Sequence, residues 1–254
     1  MLSRYIPLAL GGLLLCTAAA LAQGDARAIV EKAIQAQGGP AKVAKLRVMR
    51  IKIEGRTDLV PNQPDLPITL EDTWQMPSQY KSESSLQVGG KKYTQVQVLD
   101  GDAGWIQMAG MVQEMPKEAV AEMKEQRFAE DLDRLGFLSD KAIELAGCEE
   151  AKVDGKPAAC VLVKSRGHRD VKLYFDKTTG LLVKREHHVL DPMTNKEVRQ
   201  EVIFSDYEEK DGLKHYKKIV LLRDGRKMIE ARVMELEFFD KLDPKVFAKP
   251  GGGK

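Results

Sequence analysis

The chain has 254 residues, 43% hydrophobic and 31% charged, with 40 Lys and Arg against 38 Asp and Glu. A formal charge of +2 gives no electrostatic case for nucleic acid or an anionic membrane surface as the main partner. The composition also excludes a disordered polyelectrolyte, a collagen-like repeat and a disulfide-dense miniprotein, and the length allows one generous domain or two small ones.

Arg4 supplies a positive n-region, Ile6 to Cys16 is an apolar run, and Ala20-Leu21-Ala22 has the A-x-A form of a cleavage site. Residues 1–22 therefore read as a secretory signal peptide, with Gln23 opening the mature chain and export to the periplasm or beyond the cell. The run is short for a membrane span and is broken by Pro7 and Gly11-Gly12. Lipoprotein processing at Cys16 is the competing reading. It requires a small residue before the cysteine, where Leu15 stands.

Asp25 to Gln37 reads as a helix, with Asp25 as N-cap, Ile29, Ala33 and Ile34 on one face, and Gly38-Gly39-Pro40 ending it. A helical turn from Val43 to Leu46 follows. The period then changes to two. Met49, Ile51 and Ile53 alternate with Arg50, Lys52 and Glu54, and Ile68, Leu70, Trp74 and Met76 alternate with Thr69, Glu71, Thr73 and Gln75, as half-buried strands do. Val60 to Pro67 is a loop between them. Short alternating runs then continue, punctuated by Gly89-Gly90, Asp100-Gly101, Asp154-Gly155, Thr179-Gly180, Asp211-Gly212 and Asp224-Gly225. This spacing predicts an antiparallel meander: a sheet, half-barrel or barrel.

One helix interrupts the meander. Pro116 opens it, Ala119, Val120, Met123 and Phe128 recur at helical spacing, and the pattern extends to Leu135 or Leu138. Its natural resting place is the open face or mouth of the sheet. The mature chain keeps Cys148 and Cys160. With a three-residue loop, Val153-Asp154-Gly155, Lys152 faces Lys156 and the two cysteines lie directly across the ladder, where a disulfide can form. A two-residue turn at Asp154-Gly155 would spoil that match, and the alternative is two buried free thiols. Residues 250–254 are too poor in apolar groups to order themselves. No linker divides residues 23–249, which read as a single domain.

A search for chemistry returns little. His187 and His188 are adjacent on a strand and point to opposite faces, His168 sits in a charged loop, and together with His215 they read as solvated histidines. No metal-ligand spacing, cofactor loop or nucleophile motif appears, so neither metal nor cofactor is expected. Carboxylate pairs such as Glu71-Asp72 and Glu130-Asp131 read mostly as surface charges. Methionine stands out instead: Met108, Met111, Met115 and Met123 cluster between the Trp105 strand and the inserted helix, and Met193 is among the rest. Ordinary core filling explains any one of them, yet a soft, polarizable lining also suits a site for varied apolar ligands.

The order of elements resembles the LolA-like class of bacterial envelope proteins. The points of likeness are the signal peptide, the helix ending at Gly38-Gly39, the strand from Met49 to Ile53, Asp100-Gly101-Asp102-Ala103-Gly104-Trp105, the helix from Pro116, Leu173-Tyr174-Phe175-Asp176-Lys177-Thr178-Thr179-Gly180-Leu181, and Phe204-Ser205-Asp206-Tyr207 before Asp211-Gly212. The likeness spans nearly the whole mature chain. It implies a mainly β, α+β fold: a strongly curved antiparallel sheet covered by helices, with an apolar cavity for acyl chains. No acyl-recognition residue of the lipoprotein carriers carries over.

The leading expectation is an exported, non-enzymatic protein that holds a lipid or acyl chain, with a role in lipid or lipoprotein trafficking and a lipoprotein or other envelope protein as partner. Met49, Ile51, Leu70, Trp74, Trp105, Met108, Met123 and Phe128 are the candidate lining, and the helix from Pro116 is the lid. Two alternatives stand beside it. An interaction or sensor module would have a filled core, no void beneath the helix and an exposed apolar patch elsewhere, and an envelope hydrolase would have two carboxyl groups facing each other in a cleft, at least one of them shifted in pKa.

Overall fold

The computed structural model describes residues 14–191 and 194–251. Residues 1–13, 192–193 (with Met193) and 252–254 lie outside the described residues. Thirteen strands form one antiparallel sheet: β1 (Val48–Thr57), β2 (Leu66–Gln75), β3 (Gln79–Val88), β4 (Lys91–Asp100), β5 (Ala103–Met108), β6 (Met111–Glu114), β7 (Glu144–Val153), β8 (Lys156–Lys164), β9 (Val171–Asp176), β10 (Leu182–Leu190), β11 (Glu197–Lys210), β12 (Leu213–Arg223) and β13 (Arg226–Phe238). The helices are α1 (Leu14–Gln37), α2 (Pro40–Val43) and α3 (Lys117–Asp131). This is a mainly β, α+β half-barrel.

The strand order is β6-β5-β4-β3-β2-β1-β13-β12-β11-β10-β9-β8-β7. Every neighbour pair but one is a hairpin; β1 and β13 join the two halves of the meander. The free edges, β6 and β7, are therefore consecutive in sequence, and the chain between them contains α3. A sheet that does not close must cover its inner face with something else, and the segment joining its edges is placed to do so.

Register assigns each side chain to a face. Met49, Ile51 and Ile53 pair with Trp74, Asp72 and Leu70 on one side and with Phe238, Leu236 and Val233 on the other. These residues look inward, together with Val202, Phe204, Leu173, Phe175, Val161, Val163 and Leu145, and all but Asp72 form the main core with Val30, Ala33 and Ile34 of α1. A smaller cluster lies on the outer face. There Val98, Phe247 and Leu242 pack with Trp105, Val96 and Phe239, covered by the last turn at Pro244–Phe247.

Three sequence expectations are corrected. Helix α1 is continuous through Asp25, which lies inside it rather than at its cap, because residues 14–24 ahead of it are helical. The hairpin between β7 and β8 has a two-residue turn, Asp154-Gly155, with both residues at positive φ, 49° and 79°. Lys152 consequently faces Pro157, not Lys156. A bulge between Cys148 and Ala151 then shifts the register by one and restores the pairing Cys148↔Cys160, where the disulfide forms. His187 and His215 are buried, 4% and 7% exposed, rather than solvated.

Gly38, at φ 132°, ends α1 against the β11–β12 turn; a Cβ there would stand 2.3 Å from the Gly212 carbonyl oxygen. That contact fixes the position of α1 against the sheet end.

Candidate ligand-binding site

Helix α3 leaves the β6 edge and crosses the inner face to reach β10. It is seated at its first turn on Gly104, whose missing Cβ leaves room for Val120 and Met115. At the far side it is held by the β8–β9 loop. The Glu122 carboxylate accepts from Arg169 Nη2 and Nη1 at 2.6 and 3.0 Å and from the Leu190 backbone N–H at 2.9 Å. One turn on, Glu125 meets His168 Nδ1 at 2.8 Å and accepts the Arg169 backbone N–H at 3.0 Å, while Phe128 stacks on the His168 ring at 3.8 Å. Arg169 and the Leu190 amide hold the Glu122 carboxyl below its ordinary pKa, against the opposing effect of burial.

The underside of this lid is charged, although the sheet facing it is largely apolar. Arg127, Glu130, Asp131 and Arg134 recur at helical spacing and pair with one another; Arg134 Nη1 lies 2.8 Å from Asp131. The guanidinium of Arg134 lies 3.9 Å over the Trp74 ring and that of Arg127 4.1 Å over Tyr80. Asp133 reaches the sheet and pairs with Arg185 of β10. On the sheet side Asp72 accepts from Tyr80 Oη at 3.1 Å. Burial raises the carboxyl pKa of Asp72, Asp131 and Asp133, the last to about 6 despite Arg185 beside it. Arg127 Nη2, Arg134 Nε, Arg185 Nε and Asp133 Oδ1 have no hydrogen-bond partner among the described residues.

Between this charged ceiling and the apolar floor of Ile53, Leu70, Ile219, Leu221 and Ile229 lies a hollow of about 150 Å³. Two larger clefts open beside the lid, on either side of Phe137. One of about 440 Å³ runs past Ile34, Val43, Leu46 and Met76; the other, of about 420 Å³, past Leu99, Phe128, Leu132 and Ile143. Sites for small molecules typically occupy roughly 300–1,000 Å³. The flanking clefts reach that range, whereas the space directly beneath the lid falls below it.

No family model matches the sequence, and no curated protein matches it either. Solved structures do match the fold. A LolA superfamily protein from Nitrosomonas europaea superposes with a TM-score of 0.57 at 12% identity, covering 88% of this chain and 97% of that one. The fold is LolA-like. A Vibrio parahaemolyticus domain described as outer membrane lipoprotein-sorting gives 0.52 at 13% identity over 87% and 97% of the two chains. A DUF1329 family protein from Desulfovibrio piger gives 0.56 at 12% identity over 88% and 97%.

In this LolA-like frame the residues expected to line the cavity divide. Met49, Ile51, Leu70 and Trp74 share the inner face, where Trp74 Nε1 donates to the Leu46 carbonyl at 3.4 Å. Ile51, Leu70 and Trp74 border the hollow under the lid, and Phe128 borders the 420 Å³ cleft. Met49 is buried in the core beside them. Met123 sits half-buried on α3. Trp105 does not join the others: it pairs with Val98 on the outer face and packs near Phe247. Met108 lies at the sheet's far corner, 54% exposed.

The charged ceiling departs most from the sequence reading. Asp72 and the Glu130-Asp131 pair, read as surface charge, border or underlie the lid. A hydrolase requires two carboxyl groups facing each other in a cleft, at least one of them shifted in pKa. Here Asp131 and Asp133 are engaged by arginine and Asp72 by tyrosine; Asp72 and Asp133 border the 150 Å³ hollow, and Asp131 borders the 420 Å³ cleft.

Proposed function

We propose that the chain is an exported binding protein that holds an apolar ligand, a lipid or acyl chain, in the clefts of its curved sheet beside helix α3, within lipid or lipoprotein trafficking. The supporting observation is the pair of apolar clefts flanking Phe137, each open to solvent and each large enough for a hydrocarbon chain. Binding by burial suits their lining: each methylene removed from water contributes about 0.8 kcal/mol, so a chain of a dozen carbons gains substantial affinity without a charged contact. The outer membrane lipoprotein-sorting description of one structural neighbour agrees with this reading.

Native mass spectrometry of the purified protein, followed by lipid extraction, tests the proposal. Retained or exchangeable lipid is the expected result. Phe137→Trp, which narrows both clefts, should reduce uptake of an apolar dye. A protein that neither retains lipid nor takes up dye would refute the role.

A further inference from the structure

Among the described residues four large hydrophobic side chains are strongly exposed, and three of them share one corner of the sheet: Tyr93 at 56%, Met108 at 54% and Met111 at 66%. Register shows why they meet. Met108 faces Met111 across β5 and β6 and faces Gln95 across β4, whose neighbour on the same side is Tyr93. The turns at Gly89-Gly90 and Ala109-Gly110 bring these residues to one end of the sheet, around an open groove bordered by Leu86, Tyr93 and Met108.

Two features separate this lip from an ordinary exposed patch. The first is its charge. Lys91 and Lys92 are both exposed beside Tyr93, and no Asp or Glu occurs from Ser84 to Leu99 or from Ala103 to Gln113, in a chain with 38 acidic residues. The second is continuity with the inner face. Ala231, Gly55, Ile68, Leu86 and Tyr93 form one unbroken row across β13, β1, β2, β3 and β4, running from the wall of the hollow to the lip.

We infer that this corner, Tyr93, Met108 and Met111 flanked by Lys91 and Lys92, docks on an anionic bilayer surface. Tyr and flexible apolar groups with adjacent lysines fit the interfacial zone, where an aromatic ring lies at headgroup depth and lysine stems extend to the phosphates. Tyrosine and methionine are also enriched at protein interfaces, from which lysine is depleted, so the Lys91-Lys92 pair is what selects a bilayer over a protein. The near-neutral overall charge is compatible with this assignment, since the basic feature is local. One small apolar lip with two cations gives reversible attachment rather than anchoring. The inference goes beyond ligand holding and stands or falls separately from it.

Vesicle flotation tests it, using protein purified from the envelope of an expressing bacterium in the form the cell leaves it. Wild-type protein should float with vesicles of phosphatidylglycerol and phosphatidylethanolamine. The triple variant Tyr93→Ser, Met108→Ser, Met111→Ser should lose about tenfold or more in partitioning, with its circular dichroism and melting point preserved because all three sites are exposed. Lys91→Glu with Lys92→Glu should lose about tenfold on the anionic vesicles and little on phosphatidylcholine. Lipid extraction from the same variants reads ligand holding separately and should be unchanged. Failure of the wild-type protein to float, as a lip serving a protein partner would give, overturns the inference. So does flotation of the serine variant at the wild-type level. Equal flotation on phosphatidylcholine and by the glutamate variant overturns the anionic surface.

Discussion

Asp133, just beyond the end of the lid helix, and Arg185, in the middle of β10, form an ion pair with both side chains more than nine-tenths buried, at 8% and 4% exposure. The pair ties lid to sheet in the core, where removing one partner leaves the other charged and without water. Asp133→Ala should therefore destabilise the protein by about 3–5 kcal/mol. Replacing both residues, Asp133→Leu with Arg185→Met, should recover most of that loss, because the desolvation cost disappears with the charges. Urea unfolding of the single and double variants measures the difference. A double variant no more stable than the singles would show that the pair does more than compensate its own burial.

The same carboxyl sets one arm of the pH dependence. Burial raises Asp133 to about 6, above its unfolded value, so its contribution to stability is present at low pH and is lost as pH rises through 6. His187 acts in the opposite direction. Burial lowers it to about 2, with the Arg185 and Arg169 cations adding to the effect, and neither ring nitrogen has a hydrogen-bond partner among the described residues. The neutral ring's contribution is complete above the unfolded histidine value and is lost as pH falls below it. Between pH 7.5 and 5 each group changes stability by about 1–2 kcal/mol with opposite sign. His215, also lowered, adds to the histidine side; Asp72 and Asp131, raised, add to the carboxyl side. Wild-type stability should thus vary little across this window. His187→Leu should become more stable toward pH 5 and Asp133→Asn less stable, as read from melting temperatures at half-unit pH steps. Parallel profiles for the two variants would show that these groups do not govern the response.

The meander was legible because period-two alternation and glycine-containing turns are local signals. Pro116 marked the lid because proline tolerates the start of a helix and little else. The charged ceiling was harder to read, yet it left traces. Asp72 occupies an inward position between Leu70 and Trp74, and a charge interrupting the apolar face of a strand is a sign of an interior partner. Arg127, Glu130, Asp131 and Arg134 likewise recur at the spacing of one helix face. That spacing serves a solvated salt-bridge ladder equally well, and only the tertiary contact with Trp74 and Tyr80 decides which way it faces. The place of Trp105 was lost for a similar reason. Alternation separates the two sides of a strand but does not say which side a C-terminal turn will cover. The cysteine pairing was right although its turn was not, since a bulge invisible in the sequence offset the shorter loop.

The contact of Glu122 with Arg169 and the Leu190 amide holds the lid to the β10 side of the sheet, whereas Gly104 seats its beginning on β5. Glu122→Ala removes two acceptors at once and leaves the Arg169 guanidinium without its closest partner. The expected loss is about 1.5–3 kcal/mol, concentrated in α3 rather than spread over the sheet. Hydrogen exchange should speed up in residues 117–131 and stay slow in β1, β2 and β13. An apolar dye should enter faster in the same variant, because the 420 Å³ cleft beside Phe128 is walled by the released segment. Uniformly faster exchange across the sheet would mean that the contact supports the whole fold and not the lid.

The disulfide sits in the β7–β8 hairpin, and β7 is a free edge of the sheet that also packs against α1. A crosslink over so short a loop stabilises by about 2–3 kcal/mol, chiefly by restricting the unfolded chain. Cys148→Ser with Cys160→Ser should lower stability by that amount, and a reducing agent should bring the wild-type protein to the same level. The effect on lipid retention should be small, because neither cysteine borders the clefts. If reduction instead abolished retention while the protein stayed folded, the edge strand would have to control the lid through the chain that joins β7 to α3, and the crosslink would belong to the binding mechanism.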